Sequence, residues 1–320
     1  MNVALYGANG HQIHGLLAER EGTTRLVGYA GFPKDGLPAF LVAGRSDVRA
    51  YGGLEELLSD PRVELVSLCS PRRCDQAGDA IRSLRAGKHV YAEKPCAFDE
   101  PSLDAILRAA QENGRHFREM AGTAFSQPYL QMREIVRAGR IGRVVQVIAE
   151  KSYPYHDGRP QDEDVDGGLI RQCAVHALRF VEHVAGERVV SIHAKETTAG
   201  NPVPKGDLRI AAVLALELAS GGLASITANY LNPRGTGVWG YESLRIIGER
   251  GFVESSRGGQ LTRLVVGGED HGPIEQTAPS FEYLDGYIAM IRWRGEMPLS
   301  LDDELSPTRW AIRAKQSLSR

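Results

Sequence analysis

A short apolar strand in the first third of the chain ends in two charged residues, Glu93 and Lys94, followed by Pro95. Packing alone does not explain charges at the point where a sheet ends, and the proline stops the hydrogen-bond ladder there. Parallel α/β sheets bind ligands at the carboxyl ends of their strands, so we expect Lys94 to point into a crevice. The structural alternative is a solvated Lys94 paired with Glu93.

The turn after the first strand partly matches the glycine fingerprint of dinucleotide-binding folds. Asn9 stands where the backbone must approach a pyrophosphate, and asparagine tolerates left-handed geometry. Gln12 replaces the last glycine of the fingerprint. Because the turn opens a helix whose amino terminus can receive phosphate, we predict that it binds a cofactor. The predicted contacts are Gly7, Asn9, Gly10, His11 and Gln12. An ordinary strand-to-helix turn is the alternative.

The second part of the fingerprint is an acid at the end of strand 2, and this chain lacks it. The strand ends in Gly31, and the nearest acid is Asp35. A site without that carboxylate, with Lys34 close by, could accept NADP as well as NAD. We therefore predict NAD or NADP as cofactor and add Gly31 and Lys34 to its contacts. An unusual or lost mode of cofactor binding stays open.

Alternating strands and helical patterns in the first third predict βαβ units and a parallel sheet. The predicted strands are Val3–Tyr6, Arg25–Ala30, Leu65–Ser70, His89–Ala92 and Arg115–Met120. The predicted helices are Gln12–Glu19, Leu54–Leu58, Asp75–Ala86 and Ser102–Asn113. Gly87 and Gly114 suit left-handed helix stops, and Asp99 with Pro101 offers capping chemistry.

After about Thr123 the pattern changes to a succession of alternating strands, which predicts a mainly antiparallel sheet with helices on one face. The predicted strands are Arg143–Tyr153, Val189–Thr198, Leu208–Ala219, Gly222–Tyr230, Ser243–Ile247 and Gln260–Val266. Helical patterns cover Pro128–Ala138, Gln172–Val184 and Asp303 to the end. We therefore predict a dinucleotide-binding domain over residues 1–122 and a second α/β domain over residues 123–320.

Composition narrows the class of partner. The chain has 320 residues, a formal net charge of -2 and no basic block, which favours a small-molecule partner over nucleic acid or anionic lipid. The start of the chain shows no targeting pattern, and no apolar run approaches the roughly 20 residues that span a bilayer. We expect a cytoplasmic protein. The four cysteines lack zinc-like spacing, and we predict no metal.

The run Ala86-Gly87-Lys88-His89-Val90 followed by Glu93-Lys94-Pro95 resembles the A-G-K-H-V-x-x-E-K-P motif of the glucose-fructose oxidoreductase and inositol dehydrogenase family, Gfo/Idh/MocA. The resemblance extends over nearly the whole chain. The other similar pieces are Ser70-Pro71, Gly139-Arg140-Ile141-Gly142 and Gly248-Glu249-Arg250-Gly251. The resemblance to this family implies a Rossmann domain followed by an α/β domain with a large, open, mostly antiparallel sheet. It also adds Ser70, Pro71, Glu93 and Lys94 to the predicted cofactor contacts.

A second motif, from Asp166 to His176, resembles the family's G-G-x-x-x-D-x-G-x-H helix opening. His176 matches the family histidine, whereas Gln172 stands in place of Asp and Ala174 in place of Gly. Residues four apart share a helix face, so Gln172 and His176 can address one ligand. His183 follows without a ligand set of known spacing, and we reject a metal site there.

These residue types suit alcohol oxidation. Hydride leaves to the nicotinamide while a base takes the hydroxyl proton, and His176 has the side chain with a pKa nearest neutrality. Lys94 would hold the reacting oxygen, and Gln172 would hydrogen-bond without taking a proton. Tyr153, at the end of a strand, is a further predicted substrate contact. The loss of the Asp charge should leave His176 less biased toward its protonated form.

Three functions follow from the resemblance. The first is an NAD(P)-dependent dehydrogenase acting on a secondary hydroxyl or ketone of a sugar, cyclitol or related polyol. The second is a redox-assisted lyase or glycosidase with bound NAD. The third is a non-catalytic nucleotide-binding regulator. The leading interpretation is the dehydrogenase, as a homo-oligomer (dimer or tetramer) joined through the second-domain sheet.

Overall fold

The computed structural model describes residues 1–18, 23–33 and 47–318. The chain forms two compact units. The first comprises Met1–Met120, Asp164–Gly167 and Tyr287–Gly295, and the second comprises Ala121–Glu163, Gly168–Gly286 and Glu296–Arg320. The later segments join the first unit through long-range bonds. Tyr287 Oη, for example, donates to the carbonyl oxygens of Val90 at 2.9 Å and His116 at 2.7 Å. Such bonds leave no mark on a local sequence pattern.

The first unit is built on a six-stranded parallel sheet. Its strands are β1 (Asn2–Tyr6), β2 (Arg25–Ala30), β3 (Arg49–Ala50), β4 (Leu65–Leu68), β5 (His89–Ala92) and β6 (Phe117–Glu119). Their order is β3-β2-β1-β4-β5-β6, so the winding reverses between β1 and β4. All four residues of β4 are buried, as expected for a parallel strand covered on both faces. The sequence predicts β4 to reach Ser70, but Ser70 N donates to Gln76 Oε1 at 3.1 Å and the strand ends earlier.

The helices of this unit are α1 (His14–Ala18), α2 (Leu54–Ser59), α3 (Gln76–Arg85) and α4 (Glu100–Glu112). Asp99 caps α4, because its Oδ1 accepts from Ser102 N at 2.8 Å. Gly87 and Gly114 have φ values of 76° and 56°. These left-handed stops and the capping residue confirm the sequence prediction. The predicted start of α1 at Gln12 and the predicted start of α3 at Asp75 are wrong by one or two residues.

The second unit is built on an eight-stranded sheet. Its strands are β7 (Val144–Ser152), β8 (Val189–Thr197), β9 (Ala211–Leu218), β10 (Leu223–Asn229), β11 (Tyr241–Gly248), β12 (Gly251–Ser256), β13 (Leu261–Val266) and β14 (Glu269–Gly272). The order is β14-β13-β12-β11-β7-β10-β9-β8. Only the β7–β10 pair is parallel among these described strands, which confirms the mainly antiparallel prediction. Strands β12 and β14 are not predicted from the sequence, because β12 alternates weakly and β14 has only four residues.

The remaining helices are α5 (Tyr129–Arg137), α6 (Glu163–Asp166), α7 (Val175–Arg179), α8 (Tyr283–Trp293) and α9 (Leu301–Ser317). Turns of π-helix, Leu169–Ala174 and Phe180–Val184, flank α7. Neither α6 nor α8 is predicted from the sequence. Ser300 Oγ accepts from Asp303 N at 3.1 Å, so α9 begins before the predicted Asp303. In the described ranges, no helix is both long and apolar enough to cross a bilayer.

Candidate active site

The turn after β1 has a shape that only glycine permits at two positions. Gly7 has φ +73°, and a Cβ there would lie 1.9 Å from the carbonyl oxygen of Cys69. Gly10 has φ +110°, and a Cβ there would lie 2.8 Å from Cγ of Glu93 and 2.9 Å from Nη2 of Arg73. Glycine lets a backbone both adopt such angles and approach a ligand closely. The turn therefore fits the pyrophosphate of a dinucleotide.

Asn9 and Gln12 hold this turn with their side chains. Asn9 Nδ2 donates to Pro71 O at 3.3 Å and also to Val165 O. Gln12 Nε2 donates to Gly7 O at 2.9 Å. Asn9 does not adopt the left-handed geometry that asparagine tolerates. Gln12 does not merely fill the place of a glycine but bonds back to the turn that precedes it.

The other predicted cofactor contacts lie at the ends of β2 and β4. Gly31 has φ +72°, and a Cβ there would lie 3.2 Å from Gly7 N, so the two turns touch. Ser70 is buried, and its Oγ donates to Asp79 Oδ2 at 2.6 Å, which directs its side chain toward α3. Pro71 lines a depression of about 570 Å³ that α3 and Tyr6 also border. Lys34 lies outside the described residues.

At the end of β5, Lys94 and Glu93 form a buried pair. Their side chains are 2% and 3% exposed, and Lys94 Nζ lies 3.8 Å from Glu93 Oε1. The solvated alternative for Lys94 is therefore wrong. Burial alone would raise the pKa of Glu93, but a hydrogen bond with His11 and the charges of Lys94 and Arg73 lower it to about 2. Glu93 is thus a carboxylate at neutral pH. His11, 70% exposed, has its Nδ1 3.4 Å from Glu93 Oε1.

Two buried side chains that the sequence analysis misses join these pieces. Arg73 Nη2 donates to the carbonyl of Asn9, and Arg73 Nη1 donates to Gln76 Oε1 at 3.1 Å. Gln76 Nε2 donates to the carbonyl of Glu93 and to that of Pro95, the latter at 3.2 Å. They connect the turn after β1, the start of α3 and the end of β5. No spacing in the sequence marks them, although both lie within five residues of Pro71.

In the second unit, the structure brings two predicted residues together. His176 on α7 and Tyr153 after β7 are 9% and 4% exposed. Tyr153 Oη lies 3.1 Å from His176 Nε2, and the two rings meet edge to face with centroids 6.3 Å apart. The tyrosine predicted to contact substrate therefore also contacts the predicted base.

Gln172 lies in the π-helical turn before α7 and is half-buried. Its Oε1 accepts a hydrogen bond of 3.4 Å from Tyr230 Oη. Tyr230 follows β10, whereas Tyr153 follows β7, so Gln172 and His176 make these bonds with different strand ends. Single π-helical turns within helices are frequent at functional sites.

His183, one more histidine on this helical segment, packs as a neutral residue. It is 3% exposed, and its Nε2 lies 2.9 Å from the carbonyl of Asp303. Burial lowers the pKa of His183 to about 3. Among the residues that the structure describes, no group of three or more His, Cys, Asp or Glu side chains is placed to hold a metal ion.

Each part of the chain resembles known proteins. Residues 1–120 match the model of an oxidoreductase family with an NAD-binding Rossmann fold, and residues 129–254 match that of the GFO/IDH/MocA C-terminal domain. Inositol 2-dehydrogenase from Rhizobium meliloti (strain 1021) is 25% identical over 328 residues, which cover 96% of this chain and 93% of the relative.

Solved structures agree in fold over the full length. An oxidoreductase from Thermotoga maritima has a TM-score of 0.86 at 22% identity, covering 100% of this chain and 98% of its own. Levoglucosan dehydrogenase, solved with NADH and L-sorbose, has a TM-score of 0.80 at 16% identity, covering 100% and 96%. The two family models match the chain in the order expected from the sequence, with the Rossmann domain first and the C-terminal domain second. The chain therefore belongs to the Gfo/Idh/MocA family of NAD-binding oxidoreductases.

Proposed function

We propose that this protein transfers a hydride between a nicotinamide cofactor and a secondary hydroxyl or ketone of a sugar, cyclitol or related polyol. The observation that carries the proposal is the buried Lys94–Glu93 pair beside the glycine turn. A lysine in this setting can hold a substrate oxygen next to a cofactor. The relative named inositol 2-dehydrogenase, which matches nearly the whole chain, supports the substrate class.

The residues of the first unit suit the cofactor. Gly7 and Gly10 would admit the pyrophosphate to the backbone, and Asn9 and Gln12 would keep the turn in shape. His11 would lie on the exposed side of this turn. When bound, the nicotinamide accepts or donates the hydride. The depression beside Pro71 would take the adenosine half.

The proposed roles of the site residues follow from their chemistry. Lys94 would hold the reacting oxygen and stabilise the negative charge that develops on it. His176 would take the hydroxyl proton during oxidation and return it during reduction. Gln172 would orient the substrate through hydrogen bonds, since an amide cannot take a proton at neutral pH. Tyr153 would contact the substrate at the edge of its ring.

The proposal includes both NAD and NADP. Residues 31–33, after β2, are Gly-Phe-Pro and contain no carboxylate to repel a 2′-phosphate. Comparing kcat/KM for the two cofactors tests this point. A ratio above about 100 in favour of NAD would contradict acceptance of NADP.

We also propose that the protein is cytoplasmic and forms a homo-oligomer through the second sheet. The sheet exposes large apolar side chains that alternate with buried ones, and these suit a second copy better than water. Among them are Val145, Ile148, Val190, Val213, Leu223 and Leu261, which are 42% to 56% exposed. Light scattering on the purified protein tests the oligomer, and a monomer at micromolar concentration would contradict it.

One set of measurements separates the enzyme from its alternatives. Mass spectrometry of the purified protein detects bound nucleotide, and absorbance at about 340 nm follows reduced cofactor with a panel of polyols. Net reduced cofactor supports the dehydrogenase. Bond cleavage without net reduction supports the redox-assisted lyase or glycosidase instead. If neither nucleotide binds, both enzyme functions are wrong.

A further inference from the structure

A buried ion pair lies next to Tyr153, outside the roles described so far. Lys151 on β7 and Glu242 on β11 face each other in register, with Lys151 Nζ 2.5 Å from Glu242 Oε1. Their side chains are only 7% and 10% exposed. Tyr129 Oη donates to Glu242 Oε2 at 2.8 Å. Because removing two charges from water offsets most of their attraction, a buried ion pair is weak evidence for a purely stabilising role.

The ion pair acts directly on the ring of Tyr153. Lys151 Nζ lies 4.9 Å from the centre of that ring, within the range of a cation–π interaction. The backbone at Gly240 packs closely against both side chains. A Cβ there would lie 2.8 Å from Lys151 Nζ and 3.2 Å from Tyr153 Cε1. The Tyr153 ring therefore contacts a fixed cation and the loop before β11.

We propose that Tyr153 is a positioning residue for His176 and that Lys151, fixed by Glu242, sets its hydrogen-bonding role. The inference rests on the proposed function in taking His176 as the base. The ammonium above the ring draws electron density from the phenol, so Tyr153 Oη donates to His176 Nε2. The hydrogen bond fixes the orientation of the imidazole, keeps its proton on Nδ1 in the resting enzyme and favours the neutral form that a base requires. Nε2 is then the nitrogen that takes the proton during oxidation, when the substrate hydroxyl replaces the Tyr153 hydroxyl on it.

Other charged and titratable groups are linked to Tyr153 or share the helix of His176. Lys151 comes from β7, Glu242 from β11 and Tyr129 from α5, while Arg179 lies on α7 itself and is fully buried. A change at Tyr153 removes one hydroxyl and leaves all these charges in place. Its effect on His176 can therefore be assigned to the hydrogen bond.

Tyr153→Phe is the first test, because it keeps the ring and removes the hydroxyl. We expect kcat to fall about 10- to 100-fold with KM changed less than about threefold, and the acid limb of kcat/KM to move about 0.5 to 1 toward higher pH. The matched control is Tyr155→Phe, two residues along and half-buried, with kcat within about twofold of wild type. An unchanged acid limb in Tyr153→Phe would overturn the proposal.

A measurement without substrate separates this inference from the proposed function. The ¹⁵N NMR signals of His176, identified by their loss in His176→Gln, report which ring nitrogen carries the proton. We expect an unprotonated Nε2 in wild type and a mixture in Tyr153→Phe. The same tautomer in both proteins contradicts the proposal whatever the activity. A changed tautomer in a protein that lacks dehydrogenase activity would instead leave the positioning role standing and reject the function.

A double variant tests the role of the ion pair. Lys151→Met with Glu242→Gln removes both charges together, so neither partner is left as a lone buried charge. We expect kcat to fall about 3- to 10-fold and the His176 tautomer to move partway toward that of Tyr153→Phe. The double variant also tests the proposal if Tyr153→Phe fails to fold. A wild-type tautomer in the double variant would show that Lys151 does not set the hydrogen bond.

Discussion

The two ends of β5 carry the same residue type in different settings. Lys88, just before the strand, is 7% exposed, and its Nζ donates to the carbonyl oxygens of Asp60 at 2.8 Å and Val63 at 2.9 Å. Lys94, just after it, lies 3.8 Å from the carboxylate of Glu93 beside the glycine turn. Both lysines are buried, so burial does not distinguish them. What distinguishes them is the end of the sheet, because Lys88 lies at its amino end and Lys94 at its carboxyl end.

Other polar residues of this sheet divide in the same way. At the amino end, His116 N donates to His89 Nδ1 at 3.0 Å and the two imidazoles stack. Arg115 Nε donates to the carbonyl of Gly87 at 2.6 Å. These side chains satisfy backbone groups. At the carboxyl end, side chains surround the glycine turn, where we propose that the cofactor binds.

The largest difference in kcat should appear between variants that each remove one of the two lysines flanking β5. We expect Lys94→Ala to lower kcat about 10²- to 10³-fold while cofactor affinity changes less than about threefold, because it removes a donor to the reacting oxygen. Lys88→Met is the matched control. It should lower the thermal midpoint but keep kcat within about threefold, since it removes only bonds to backbone carbonyls. Steady-state kinetics and calorimetric titration measure these effects, and an unchanged kcat in Lys94→Ala would remove its assigned role.

A methyl group at Gly7 should separate cofactor binding from helix stability. We expect Gly7→Ala to weaken NAD(H) or NADP(H) binding about 100-fold, because its Cβ would collide with the Cys69 carbonyl and change the turn. Gly15→Ala in α1 is the control, since a Cβ there meets no atom within 4 Å and φ is not positive. It should leave affinity unchanged and slightly stabilise the helix. Equal affinities in the two variants would show that the shape of the turn does not matter.

The amino end should make stability depend on pH. Burial, together with nearby His116 and Arg115, lowers the pKa of His89 to about 4 from its usual 6.5. The unfolded chain therefore takes up a proton first, and stability falls as the pH drops from about 6.5 toward about 4. His89→Asn keeps an acceptor for His116 N but does not titrate.

Between pH 7 and 4.5, wild type should lose about 1 kcal/mol more of its free energy of unfolding than His89→Asn, a figure reduced for partial exposure. Urea unfolding at the two pH values measures the difference. Parallel losses in both proteins would mean that His89 does not titrate in this interval.

The smallest expected effect concerns the cap of α4, which follows the carboxyl end of β5 but has a structural role. Asp99→Ala should lower the free energy of unfolding by about 1 kcal/mol with kcat unchanged, because Ser102 N loses its acceptor. Asp99→Asn should retain most of the stability. A large loss of kcat in Asp99→Ala would place chemistry where we infer only capping.

Much of the first sheet follows from local pattern. The sequence predicts β2 and β5 at the residues where they occur, because short apolar runs bounded by turn residues mark buried strands. The left-handed stops at Gly87 and Gly114 follow from glycine's freedom at positive φ. Helix α8 does not follow, since it bonds to residues far away in the sequence. Strand β12 does not follow either, because its apolar and polar residues alternate weakly.

The residue types at the ends of the strands follow from the amino-acid sequence alone. Lys94 after β5, the glycines of the first turn and His176 after the Gly-Gly pair can all be recognised from chain neighbours alone. Family membership rests on these residues and on the matches to both domains.

The contacts that these residues make depend on the three-dimensional fold. The burial of Lys94, the bonds of Arg73 and Gln76 across the glycine turn, and the Lys151–Glu242 pair behind Tyr153 join residues far apart in the chain. Such contacts depend on strand register and side-chain packing, and a local pattern does not encode which distant residue will be the partner. Lys94 can thus be found from the sequence, whereas its burial and its neighbours could come only from the fold.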